Sequence, residues 1–368
     1  MRKLFIVCGL LTTGAWAQQP TLKDAFKGMF RIGAAVNQRQ TEEKDPRAAG
    51  IIGAQFNTIS PENVMKWSEI HPRVDGYNFV PADEYVAFGE KYKMFIIGHN
   101  LVWHSQVPAW VFKDAQGAPL TRDALLARMK DHIMTVVGRY KGRIGGWDVV
   151  NEALNEDGTL RKSQWLNIIG DDYLVKAFQF AHEADPNVEL YYNDYNIESE
   201  AKRKGAVELI KKLQAAGVKV AAMGSQGHDN MTFPTIQQQV DTIEAFAALG
   251  IKVSISEFDV DVLPPTGRGV TADVSATAAG GTGSNPYVNG LPDEMQKALA
   301  KRYADLFAVF VKHRNSISRI TFWGVTDGDS WKNDFPTRGR TNYPLLFDRD
   351  GKPKPAFDAV IQTAKQAK

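Results

Sequence analysis

Two glutamates stand at the ends of short apolar runs: Glu152 in Gly146-Trp147-Asp148-Val149-Val150-Asn151-Glu152-Ala153, and Glu257 in Val253-Ser254-Ile255-Ser256-Glu257-Phe258-Asp259-Val260. The stretches Arg143 to Val150 and Ile251 to Ser256 have the composition of buried parallel strands. Each carboxyl is therefore expected where a strand gives way to a loop, the place where barrel enzymes keep their reactive groups. A single glutamate is ordinarily a solvated surface residue. Two acids facing each other across a cleft can do more: one protonates the leaving oxygen of a glycosidic bond and the other attacks its carbon.

Other polar and aromatic groups gather at the expected strand ends. They include Ser60-Pro61-Glu62-Asn63-Val64-Met65-Lys66-Trp67, Gly98-His99-Asn100-Leu101-Val102-Trp103-His104, Asn193-Asp194-Tyr195-Asn196, Gln226-Gly227-His228, Trp323-Gly324-Val325-Thr326-Asp327 and Ser330-Trp331. Amide, imidazole, ammonium and carboxylate groups hydrogen-bond sugar hydroxyls, and aromatic faces cover the C–H faces of a sugar ring. Taken singly, His99 and His104 read as core histidines, while for Trp103, Trp323 and Trp331 a core role is the lesser alternative to a cleft. Their position beside polar residues at strand ends argues for a cleft, whereas Trp110, Trp147 and Trp165 are assigned to packing. His99, His104 and His228 lack the His-Glu-x-x-His spacing and no cysteine assists them, so neither a metal site nor a cofactor is expected.

The elements that must hold these groups alternate along the chain. Strands are expected at Phe30 to Ala35, Ala54 to Ile59, Lys93 to Gly98, Ile144 to Val150, Val188 to Asn193, Val218 to Gly224, Ile251 to Ser256 and Ser318 to Trp323. Amphipathic stretches lie between or after them at Thr121 to Tyr140, Tyr173 to Glu183, Glu198 to Ala216, Thr235 to Leu249, Asp293 to His313 and Lys354 to Lys365. Eight strands alternating with helices predict an α/β fold, a single-domain (β/α)8 TIM barrel. A doubly wound open sheet is the alternative, but no Gly-x-Gly-x-x-Gly follows the first strand. Residues Pro264 to Pro292 break the rhythm, being rich in Gly, Ala, Ser, Thr and Pro without an apolar period. This loop leaves the strand that carries Glu257; it lines the cleft or is a passive insertion.

Met1-Arg2-Lys3, the apolar stretch Leu4 to Leu11 and Ala15-Trp16-Ala17 have the order of a signal peptide cleaved after Ala17, giving residues 18–368 as the catalytic domain of a secreted or periplasmic protein. The single cysteine, Cys8, would leave with that leader, and it lies too early in the apolar stretch for lipid attachment. Removing residues 1–17 takes two of the 44 basic residues and none of the 42 acidic ones, so the mature chain is formally neutral. Neutrality argues against nucleic acid or an anionic membrane as a partner and suits an uncharged substrate. No later run approaches the roughly 20 apolar residues of a membrane span.

Five motifs in order carry a resemblance: Glu62-Asn63-Val64-Met65-Lys66-Trp67, Gly98-His99 with Leu101-Val102-Trp103-His104, Trp147-Asp148-Val149-Val150-Asn151-Glu152, Ser256-Glu257-Phe258-Asp259 and Thr321-Phe322-Trp323-Gly324. From about Leu22 to its C-terminus the chain resembles the family 10 glycoside hydrolases, whose usual members are endo-β-1,4-xylanases. The resemblance implies a retaining mechanism on xylan and xylo-oligosaccharides, with Glu152 as acid/base and Glu257 as nucleophile, in a monomer without a further carbohydrate-binding module. It places Glu62, Asn63, Lys66, His99, Trp103 and Gln226 on the glycone side, Asn151 on the sugar 2-hydroxyl, His228 behind Glu257, and Trp323 and Trp331 over the reacting sugar. Tyr195 resembles a tyrosine that stacks on the aglycone side. Asn100 replaces the family's usual Thr and Phe258 its frequent Leu. In such a site the carboxyls lie about 5–5.5 Å apart, and like-charge repulsion is expected to raise the pKa of Glu152. A cellobiosyl-preferring glycosidase and a non-catalytic carbohydrate binder are the competing readings; the second does not need the acid pair.

Overall fold

A computed structural model describes residues 21–264, Asp273 and 285–366. Among these, nine strands form: β1 Arg31–Val36, β2 Thr58–Pro61, β3 Phe95–Val102, β4 Gly146–Asn151, β5 Glu189–Asp194, β6 Ala222–Ser225, β7 His228–Asn230, β8 Lys252–Asp261 and β9 Ile317–Phe322. Every pairing is parallel, and pairing of β6 with β8 and of β9 with β1 closes eight of them into a barrel, with the short β7 added alongside the far end of β8. The strands are buried along almost their whole length, as they must be when helices cover the outside and side chains fill the inside. The chain thus forms the (β/α)8 barrel anticipated from its sequence.

Six expected helices appear, with ends moved by a few residues: Arg122–Arg139, Tyr173–Ala184, Glu200–Ala215, Ile236–Ala247, Asp293–Lys312 and Pro355–Gln366. The helices Pro46–Gln55 and Val80–Lys91 were not anticipated. The first has a legible start, because Asp45 accepts from the Ala48 N–H at 3.1 Å and Pro46 opens the first turn. It occupies residues assigned above to the beginning of the second strand, so β2 starts at Thr58 instead of Ala54. The sixth strand likewise begins at Ala222, not Val218, and the seventh expected strand runs on past Ser256 to Asp261 because β7 pairs with its extension. Glu257 therefore lies within β8, whereas Glu152 directly follows β4.

The main apolar core lies between strands and helices. A separate small cluster of Ile97, Tyr191 and Ala222, with Phe95 and Ala221 against it, comes from β3, β5 and β6. Polar groups continue from it: Arg319 stacks over Tyr191 and sits 3.5 Å from Asp148, and Asp148 bonds His99 at 2.9 Å, all four of them buried. This column connects the packed barrel to the groups considered below. The expected leader, residues 1–17, and most of the loop from Pro264 to Pro292 lie outside the described residues. No described helix is long and apolar enough to cross a membrane.

One close contact shows how little slack the barrel wall has. Gly98 on β3 pairs with Trp147 on β4, and a Cβ at Gly98 would lie 2.1 Å from the Trp147 ring. Gly98→Ala is expected to destabilise the protein by about 2 kcal/mol or more, since a buried indole cannot move aside without strain elsewhere. Urea unfolding of the two proteins checks this, and an unchanged midpoint refutes it.

Candidate active site

Regular strands send successive side chains to opposite faces. Three register shifts at the barrel's end break that rule, between His99 and Val102 against β4, between Asp148 and Val150 against β5, and between Ile255 and Phe258 against β9. Extra residues of this kind re-aim side chains. On β4, Asp148 and Asn151 are three residues apart, yet both reach the interior network, Asp148 to His99 and Asn151 to Asn193. On β8, the adjacent residues Ser256 and Glu257 both bond to the same side chain, Asn193.

Asn193 is fully buried at the end of β5. Its Nδ2 donates to Glu257 Oε1 at 2.7 Å and to Asn151 Oδ1 at 2.8 Å, and its Oδ1 accepts from the Ser256 hydroxyl at 2.5 Å. Asn151 Nδ2 in turn donates to Glu152 Oε1 at 3.3 Å. Gln226 Nε2 reaches the same oxygen at 3.1 Å, while Trp103 Nε1 donates to Glu152 Oε2 at 2.8 Å. Around Glu257, His228 lies 3.3 Å from Oε2 through Nε2 and 3.1 Å from Asp259 through Nδ1. Trp331 Nε1 also donates to Asp259 Oδ2, at 2.8 Å. Opposite the acids, Lys66 Nζ donates to Asn63 at 3.0 Å and to Gln106 at 2.8 Å.

The backbone of Glu152 takes φ 56°, a left-handed conformation that costs a non-glycine residue about 1–3 kcal/mol. Hydrogen bonds hold it there: its N–H donates to Asn193 O at 2.8 Å, and its carbonyl accepts from Arg161 Nε at 3.2 Å.

The two carboxyls are driven apart in acidity. Burial, followed by the charge of Asp194, pushes Glu152 up to about 7, against the opposing hydrogen bonds from Gln226 and Trp103. Glu257 adds the least of these contributions, which corrects the expectation that repulsion between the pair does the work. Burial also pushes Glu257 up, but the His228 hydrogen bond, the charges of His99 and His228 and the Asn193 amide outweigh it and hold that carboxyl below its ordinary value. Between the usual glutamate range and about pH 7, Glu152 therefore keeps its proton while Glu257 is ionised. Burial lowers the Lys66 ammonium and raises the Glu62 carboxyl.

One cavity of about 160 Å³ brings together Glu62, Asn63, Lys66, His99, Trp103, Asn151, Glu152, Gln226, His228, Glu257, Trp323 and Trp331, and adds Gln106. Tyr195 is not among its lining residues. That side chain is 2 % exposed, the Lys202 ammonium lies 3.4 Å from its ring centroid, and its hydroxyl accepts from Arg161, so little of its face is open to a sugar. His104 lies outside the cavity too, and Trp147 and Trp165 are buried as packing residues. The roles of Asn193, Asp148, Asp259, Gln106 and Arg161 were not anticipated. The first three stand in runs quoted above, but nothing in those runs distinguishes a side chain that points inward; Gln106 and Arg161 come from connecting segments without such a signal. Among the described residues, no group of three or more His, Cys, Asp or Glu could hold a metal ion.

The profile of glycosyl hydrolase family 10 matches residues 21–363. An endo-1,4-beta-xylanase A of Xylanibacter ruminicola is 44 % identical over 366 residues, covering 98 % of this chain and 99 % of that protein. The structure of a GH10 endoxylanase retrieved from a sugarcane soil metagenome superimposes with a TM-score of 0.90 at 48 % identity, over 93 % of this chain and 99 % of its own. A mutant structure in complex with xylotriose, 36 % identical, superimposes with a TM-score of 0.83 over 93 % and 99 % of the two chains.

The acidity of Glu152 has a measurable consequence. A group that holds its proton more tightly folded than unfolded opposes folding as it ionises, so stability falls as pH rises from the ordinary value of 4.5 through about 7. The loss attributable to Glu152 is about 3 kcal/mol when complete. Carboxyl-carbon NMR titration should find Glu152 titrating near neutrality and Glu257 below the usual glutamate range. Two carboxyls titrating together near 4.5 would refute this account.

Proposed function

The chain belongs to glycosyl hydrolase family 10, and from that premise we propose that it is an exported endo-β-1,4-xylanase that cleaves internal xylosidic bonds of xylan with retention of configuration. The observation that carries the proposal is the acid pair itself: two buried carboxyls linked through Asn151 and Asn193, one raised to about 7 and the other lowered.

In the first step Glu257 attacks the anomeric carbon as Glu152 gives its proton to the departing glycosidic oxygen, so the C–O bond breaks as the bond to the carboxylate forms. Ionised Glu257 is suited to attack, and the His228 and Asn193 contacts hold its oxygens in one orientation. Burial keeps the proton on Glu152 until the leaving group needs it. In the second step Glu152, now ionised, takes a proton from water that attacks the same carbon and releases Glu257. Asn151, beside Glu152, is suited to bond the sugar 2-hydroxyl, while Trp323 and Trp331 offer apolar faces. Glu62, Asn63, Lys66, His99, Trp103 and Gln226 offer the polar groups of the glycone side. The exported state is supported by the leader-like residues 1–17; amino-terminal sequencing of the protein recovered outside the cytoplasm tests it.

The xylanase assignment is tested by comparing hydrolysis of xylan, carboxymethylcellulose and aryl cellobiosides. Clear preference for xylan is expected, and preference for either cellulosic substrate overturns it. Glu257→Ala should lose hydrolysis by several orders of magnitude while still binding xylo-oligosaccharides, and added azide should yield a glycosyl azide of inverted configuration. Glu152→Ala should collapse xylan hydrolysis but spare the first step on dinitrophenyl glycosides, which need little protonation. For the intact enzyme kcat/KM should fall as pH rises through about 7, when Glu152 loses its proton. Near-normal turnover by Glu257→Ala, or retention of an alkaline plateau well above that pH, refutes the assignment of roles.

A further inference from the structure

Arg161 lies on the returning limb of the hairpin that follows Glu152, just past an antiparallel bridge between Leu154 and Leu160. Its backbone N–H donates to Ala153 O at 2.7 Å and its side-chain Nε to Glu152 O at 3.2 Å. The other two guanidinium nitrogens leave in different directions, Nη1 to Asp273 Oδ2 at 2.8 Å and Nη2 to the Tyr195 hydroxyl at 2.8 Å. One rigid, planar group thus ties together three segments: the turn carrying Glu152, the residue after β5, and a carboxylate from the long connection after β8. Arg161 and Asp273 are only 18 % and 17 % exposed, so the pair is partly shielded from the water that weakens surface ion pairs.

The contact falls where Glu152 needs support, since a left-handed backbone at a non-glycine residue persists only when its surroundings hold it. The Glu152 carboxyl is gripped by Trp103, Gln226 and Asn151, but its carbonyl is gripped by Arg161. Rotation of that peptide would swing the carboxyl away from the bond to be protonated. We infer that Arg161, itself held by Asp273, is a positioning residue that aims the Glu152 acid at the leaving oxygen. The inference rests on the assignment of Glu152 as acid/base.

A misaimed acid harms substrates in proportion to their need for a proton, whereas a generally loosened fold harms all substrates alike. The test measures kcat/KM for aryl xylobiosides of graded leaving-group acidity with Arg161→Lys, which keeps the charge but not the fork, and Asp273→Asn, which keeps the shape but not the charge. Each variant should lose about tenfold on phenyl xylobioside and less than about twofold on the dinitrophenyl compound. The double variant should lose no more than the worse single one, as expected of residues acting through one contact. Equal losses across the series, or unchanged rates in Asp273→Asn, overturn the inference. If Arg161→Lys folds poorly, Asp273→Asn decides alone. Glu152→Ala, run in parallel, separates the two ways of failing: if its own losses do not depend on leaving group the acid/base assignment falls, and if they do while the variants' losses do not, only the positioning role falls.

Discussion

Asn193 is the side chain on which the site depends. A carboxamide can donate two hydrogen bonds and accept others, and this one is used from both ends: its nitrogen joins Glu257 to Asn151, and its oxygen takes the hydroxyl of Ser256. Since Asn151 continues to Glu152, the spacing of the two acids is set by a chain of amides anchored in three barrel strands. A substitute lacking one end would leave buried polar groups on neighbouring strands without partners, at about 1–3 kcal/mol each.

The electrostatics follow from where each acid's partners are. Both are deeply buried, and burial alone would raise both. Glu257 escapes because imidazoles face it and Asp259 stands behind His228. Glu152 has only neutral donors for direct partners, and the charge of Asp194 works against its ionisation. Unequal protonation is thus a property of two different surroundings more than of the pair's mutual repulsion.

The barrel interior extends this arrangement downward. Arg319 and Asp148 form a buried pair, and Asp148 fixes Nδ1 of His99, whose ring meets Trp323 edge to face at 5.4 Å. Cleft residues are therefore backed by groups that do not themselves line the cavity. Such a column leaves no freedom for the rings to turn, which suits a site that must present its groups already oriented to a sugar with many similar hydroxyls.

Much of this was legible in the sequence. Apolar runs alternating with amphipathic stretches call for parallel strands buried on both faces; eight of them, with no Gly-x-Gly-x-x-Gly after the first, favour a closed barrel over an open sheet, and the two glutamates with their polar and aromatic neighbours mark its reactive end. The helix over Pro46–Gln55 was legible in principle, through Asp45 and Pro46, but competed with an apolar run that also reads as strand. What tertiary structure alone decided is direction. Strand alternation would put Ser256 and Glu257 on opposite faces and separate Asp148 from Asn151, yet register shifts turn both pairs inward. Such a shift depends on how each strand pairs with its neighbours, a relation between residues distant in the chain, and no local pattern encodes it. The same holds for Tyr195: its type and position suggest a stacking platform, but Lys202 and Arg161, brought to it by folding, occupy its ring and its hydroxyl.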